Sequence, residues 1–196
     1  MNTKTGKISL RKQFITCAVL CASAAVIILL FHRKPYFSAL LLGLSLPNQI
    51  LLGTAVGMLY WVVSLLGYKF VVDRRATRTI AESYSRLDLR GLNPLGFAVA
   101  AGFGEELLFR GALQPLLGIW VTSALFVLVH IRAYQLDKLD KRVLFQSTSI
   151  FAISVVLGYV AAYAGLVTAM IVHAAMDTVG LYAVRRLTQV AETAAT

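Results

Sequence analysis

Seven residues stand where side-chain charge and polarity are costly. Glu105, Glu106 and Arg110 lie in the apolar stretch FGEELLFRG, residues 103–111. Phe126 and His130 close the run ALFVLVH, and His173 and Asp177 fall within VHAAMD. Glu106 and Arg110 are four apart with the acid first, the better orientation for an ion pair along a helix. Phe126 and His130 share a face by the same spacing, as do His173 and Asp177. Glu105 is turned about 100° from Glu106, so it can face a cavity while Glu106 holds Arg110. Singly, each group has a plain structural use: a clamp between helices, a packed histidine, a capping aspartate. Together they can do hydrolytic chemistry. A carboxylate can deprotonate water as general base, and a histidine can share that proton and pass it to a leaving amine. A second histidine and a neutral acid can donate to a tetrahedral oxyanion. The chain has no GxSxG, and neither cysteine neighbours a histidine in sequence, which argues against a nucleophile triad. Ser149 and Ser154 read as helix-packing residues.

The elements that must position these groups are membrane helices. Of 196 residues, 58% are hydrophobic and only 14% charged, against about 25% charged in a soluble domain. Mean hydropathy is +0.74. The formal charge of +10 sits in short clusters between apolar runs, with no nucleic-acid-binding motif, and so reads as positive-inside topology. Cys17 and Cys21, four apart in the first apolar run, are packing residues. They share a helix face but cannot form an unstrained disulfide.

The expected fold is all-α, a polytopic bundle of about six transmembrane helices near 14–31, 48–68, 94–113, 116–131, 144–163 and 166–184. The first run is long enough to be a retained span rather than a cleaved leader. Pro47 sets off 37–46 as a short interfacial or re-entrant piece. Gly53 and Gly57 form a GxxxG for close helix packing. Residues 69–93 read as a basic amphipathic surface helix ending near Gly91. Gln114-Pro115 reads as a turn, 132–142 as a polar loop, and Gly165 as the break between the last two spans. With the N-terminus in the cytoplasm, four basic residues before the first span fall inside. So do six in 69–90, four in 132–142 and two at 185–186, which makes sixteen of the nineteen Lys and Arg. Both termini are then cytoplasmic. The organisation is 1–93, N-terminal helices with the basic segment; 94–184, the motif-bearing core; and 185–196, a polar cytoplasmic tail. Within that layout Glu105 and His173 lie deep in their spans, where ionisable groups usually mark function.

The motifs EELLFR, FVLVH and HAAMD, in this order on separate spans, fit EExxxR, FxxxH and HxxxN/D. They resemble the CPBP family, the Abi or CAAX-protease and bacteriocin-processing membrane proteins, over about 94–184. The resemblance implies an intramembrane endopeptidase of the glutamic type. Glu105 would be the general base with His130 assisting, and His173 and Asp177 would line the oxyanion hole. Glu106 and Arg110 would support the site and Phe126 would shape the pocket. The prenyl-protein endopeptidase of this family has Asn at the Asp177 position. An ionised Asp there would repel an oxyanion, so Asp177 must be protonated or must instead orient His173. No cofactor is expected. The alternative is zinc on Glu105, His130 and His173, since the family was first described as metalloproteases, although HExxH is missing. The implied partners are a membrane-anchored or lipidated protein or peptide and the bilayer, with no nucleic acid. The implied location is a multi-pass protein of a cell membrane, a bacterial inner membrane by its short form. Two readings of other classes compete. One is a non-catalytic bacteriocin-immunity or scaffold protein. The other is a proton-coupled transporter, disfavoured because no repeat symmetry is visible.

Overall fold

The computed structural model describes residues 7–70, 87–131 and 141–193. Its helices are α1 (Leu10–Phe31), α2 (Leu46–Phe70), α3 (Asn93–Glu106), α4 (Gln114–His130), α5 (Lys141–Tyr163) and α6 (Leu166–Thr193). A 3-10 turn at Ser38–Leu41 precedes α2, and a π-helical turn, Leu107–Leu113, joins α3 to α4. Among the described residues the only β pairing is one isolated bridge, Ile8 to Leu87. Five helical stretches are long and apolar enough to cross a membrane: Leu10–Phe31, Leu46–Leu66, Asn93–His130, Val143–Tyr163 and Leu166–Arg186. Their outward faces carry large apolar side chains such as Phe14, Leu30, Leu51, Val129 and Phe145, as lipid contact requires.

The stretch 93–130 has 38 residues, and would reach about 57 Å if straight, nearly twice a ~30 Å hydrocarbon core. It is not straight. Gly118 has φ 76° and ψ 168°, a conformation essentially reserved for glycine. The ring of Phe126 lies 5.0 Å from that of Phe109, so the chain doubles back there. The turn therefore falls at Gly118 and not at Gln114-Pro115, which is helical. Pro115 lacks the N–H that an α-helix needs. The wide π turn immediately before it takes up the misfit without breaking the helix.

Side-chain neighbours fix the relative directions. A Cβ on Gly96 would meet Leu10, and one on Gly104 would meet Cys17, so α1 and α3 run parallel. Cys17 is thus a packing residue against a glycine. A Cβ on Gly53 would lie 2.9 Å from Ile171 Cβ, and one on Gly57 would lie 2.8 Å from Ala175 Cβ. The GxxxG is the seam that brings α2 parallel and close to α6. Phe97 and Ala98 pack with Leu181 while Gly102 lies against Ala174, so α3 and α6 are antiparallel.

Segment 37–46 lies against the α5–α6 turn. Leu44 N–H donates to Ala164 O at 3.0 Å. Gln49, buried near the start of α2, accepts through its side-chain oxygen from the helix-start N–H of Val167 at 3.0 Å, and its own backbone carbonyl accepts from Thr168 Oγ1 at 3.2 Å. One amide thereby satisfies a helix N-terminus inside an apolar setting, where an orphan N–H is expensive. Gly165, with φ 116°, separates α5 from α6 as expected. Helix α6 continues past 184 to Thr193, so the segment after the sixth expected span begins as helix. The expected amphipathic helix of 69–93 falls mostly on 71–86, and the expected loop of 132–142 mostly on 132–140. Both stretches lie outside the described residues.

Candidate active site

Glu105 and Glu106 end α3 as the π turn begins, and consecutive positions send their carboxylates to different neighbours. Glu106 is fully buried. Its Oε1 lies 3.1 Å from Arg110 NH1 and 2.7 Å from His173 Nδ1 on α6. The contact to NH1 is ionic and poorly aligned as a hydrogen bond, and both NH1 and Glu106 Oε2 are without a hydrogen-bond partner. Arg110 NH2 donates to Ser154 O at 3.1 Å and to Ser154 Oγ at 3.0 Å on α5. Its guanidinium carbon sits 4.9 Å from the centre of the Phe126 ring, within cation–π range. Glu106 and Arg110 thus tie α3, α5 and α6 together, and Phe126 covers them.

Glu105 turns to the other side, where its side chain keeps 18% exposure. Its Oε2 lies 3.7 Å from His130 Nε2 and 3.9 Å from His173 Nε2. Asp177 Oδ2 lies 3.6 Å from the same His173 Nε2. Phe126 packs its ring 4.3 Å from that of His130 and 6.3 Å from that of His173. The hairpin at Gly118 makes this possible, since it returns His130 to the level of Glu105. All seven sequence-flagged residues meet in one region of the bundle.

The partners set the tautomers. His130 Nδ1 is 2.7 Å from the Phe126 carbonyl. A carbonyl only accepts, so Nδ1 carries the proton. Nε2 of His130, the nitrogen toward Glu105, is then an acceptor in the neutral ring and a donor in the imidazolium. His173 Nδ1 likewise faces a carboxylate oxygen and carries a proton. Its Nε2 is an acceptor in the neutral ring and a donor in the imidazolium.

Separations of 3.7 and 3.9 Å are too long for direct hydrogen bonds. They match one small shared reactant. Two hydrogen bonds of about 2.8 Å meeting at a water oxygen span roughly 3.7–4.6 Å as the angle between them opens from about 83° to about 110°. Zinc holds its ligands at about 2.0–2.2 Å, placing donor atoms about 3.4 Å apart in a tetrahedron. The donor types suit zinc, and the spacing here is wider than that by about 0.3–0.5 Å. Among the described residues no trio of His, Cys, Asp or Glu is spaced as a metal site.

Residues 91–179 match the family model described as Rce1-like, type II CAAX prenyl endopeptidase. That stretch contains every residue of the constellation. Residues 91–179 are thus similar to the core of the CPBP family. The apolar helices make this a multi-pass membrane protein, and the family it resembles is one of peptidases. No curated protein and no solved structure matches the chain.

Two features of this core escape sequence reasoning. One is the Glu106–His173 contact, which crosses from α3 to α6. The other is Ser154, read as packing but holding Arg110 with both its hydroxyl and its carbonyl. Ser149 shows the contrast, since its hydroxyl bonds back to Phe145 O on its own helix at 2.8 Å. The only sequence signal for Ser154 is indirect. A guanidinium inside a membrane bundle needs acceptors beyond one carboxylate.

Proposed function

We propose that the protein is an intramembrane endopeptidase of the glutamic type, cutting a peptide bond in a membrane-anchored or lipidated protein or peptide. The observation that carries this is the approach of His130 Nε2 and His173 Nε2 to one oxygen of Glu105, at 3.7 and 3.9 Å. In this reading Glu105 takes a proton from a water held among these atoms. His130, its Nδ1–H held by the Phe126 carbonyl, shares that proton at Nε2 and delivers it to the leaving nitrogen. The water oxygen attacks the scissile carbonyl, and the carbonyl oxygen gains negative charge. His173 Nε2–H, in the imidazolium form, stabilises that charge. Glu106 holds the ring by its Nδ1–H. Asp177 lies against the same Nε2 and orients it, which fits a carboxylate better than direct contact with an oxyanion.

The chain is read as crossing a cell membrane six times, with the 93–130 hairpin supplying two passes and both termini cytoplasmic. The alternating helix directions and the basic residues of the sequence support this reading. Substrates of the class are precursor peptides, CAAX-type ends or C-terminal sorting tails.

The test is cleavage of a lipidated or membrane-anchored peptide by purified protein in proteoliposomes. Glu105→Gln removes the base and keeps the shape. Loss of cleavage with unchanged circular dichroism is the expected result. Wild-type cleavage by the variant rejects the mechanism. Activity that dies with a zinc chelator and returns with zinc rejects the metal-free form alone. Biological protection that survives Glu105→Gln favours a non-catalytic immunity or scaffold role.

A further inference from the structure

Behind the catalytic face of α6 lies a cleft that the proposed reaction does not use. It comprises two cavities of about 310 and 460 Å³, both lined by Trp61, Thr178 and Val179 and therefore contiguous. Each falls within the size range of ligand pockets. Val179 is two residues past Asp177 and so about 200° around the helix from it. The cleft consequently faces away from Glu105 and His130.

Its shape follows from the helix seam. Gly53 and Gly57 let α2 and α6 touch at one end. The cleft lies alongside this seam, lined there by Thr54, Gly57, Ile171 and Ala175, and continues past Trp61 to Leu65 and Arg186. The cleft runs from Thr54 to Leu65 on α2 and from Ile171 to Arg186 on α6. That is about 17 Å and about 22 Å along the two axes, close to the depth of one leaflet with its headgroup. Its inner part is apolar. The end toward the C-terminus of α6 carries Tyr182 and the exposed cation Arg186, and Trp61 stands midway, on the wall of both cavities.

We propose that this cleft binds one anionic phospholipid, with an acyl chain between α2 and α6 and the headgroup phosphate on Arg186. The charge complementarity and the leaflet-length apolar trough both specify such a ligand. A lipid anchor without a phosphate would leave Arg186 unused.

The chain's two tryptophans are Trp61 and Trp120, and Trp61 is 55% exposed. Trp120→Phe therefore leaves a single reporter on the cleft wall. This variant, reconstituted in phosphatidylcholine vesicles, is titrated with phosphatidylglycerol carrying dibrominated chains, and in parallel with dibrominated phosphatidylcholine. Quenching of Trp61 should give the anionic lipid a relative association constant about five-fold higher, the size of one arginine's attraction to an anionic headgroup. Adding Arg186→Gln should bring that ratio to about one. Adding Ala183→Phe, which fills the cleft, should reduce quenching by both lipids. Equal association of the two lipids in the single-tryptophan protein overturns the proposal. So does a preference that survives Arg186→Gln, because it would then belong to the basic surface at large.

Discussion

Glu106 and Arg110 should show strong coupling in stability and no rescue in function. Their side chains are 0% and 1% exposed, with Oε1 and NH1 3.1 Å apart. At an effective dielectric near 20 the attraction between unit charges at that distance is about 5 kcal/mol, offset by the desolvation of both ions. Removing one partner leaves the other charge buried, which typically destabilises by about 3–5 kcal/mol. Glu106→Gln and Arg110→Gln should each lose that much. The double variant leaves no uncompensated charge and should be less unstable than the sum of the two by about 2–3 kcal/mol. Activity should behave differently. Glu106 also accepts from His173 Nδ1 at 2.7 Å, and the double variant lacks that carboxylate. It should therefore stay inactive even as it regains stability. The assay is denaturant unfolding in mild detergent followed by tryptophan fluorescence, alongside cleavage in proteoliposomes. Additive destabilisation by the two single changes, or recovery of activity in the double variant, would refute the reasoning.

Three further outcomes follow from the geometry. Ser154→Ala removes one of two acceptors of Arg110 NH2. It should destabilise by about 1–3 kcal/mol, and Ser154→Thr should restore most of the loss. Gly118→Ala adds a Cβ into open space but forces φ 76° on an L residue. It should cost about 1–3 kcal/mol of stability and lower activity by loosening the return of His130, read by unfolding and by turnover. Gly57→Leu would drive a side chain into Ala175, whose Cβ lies 2.8 Å from an added Cβ. It should open the α2–α6 seam and lower thermal stability more than Gly180→Leu, where no atom lies within 4 Å.

The sequence showed which residues mattered more readily than it showed how they meet. Charges inside apolar runs are conspicuous because a membrane penalises them, so Glu105, Glu106, Arg110, His173 and Asp177 announce themselves. Spacing of four also placed Phe126 beside His130, and the GxxxG marked the α2–α6 seam. The reversal was misplaced because proline is the louder breaker. Pro115 drew the turn, while the structure absorbs it in a π turn and reverses at Gly118. A lone glycine in an apolar helix carries no local sign that it will adopt positive φ. Ser154 and the Glu106–His173 bond depend on contacts between helices far apart in sequence, which periodicity does not encode. The role of Gln49 is similar. An amide near a helix start looks like ordinary polarity until the N-terminus of α6 is seen against it.

The most direct test of the account is an experimental density map of the wild-type protein, fine enough to place ordered solvent between α3, α4 and α6. The account predicts one oxygen peak at about 2.7–3.0 Å from both Glu105 Oε2 and His130 Nε2, with His173 Nε2 in reach of it. A strong peak at about 2.0–2.2 Å from all three side chains would show a metal ion instead. Side chains that diverge with no shared peak would contradict the catalytic constellation itself.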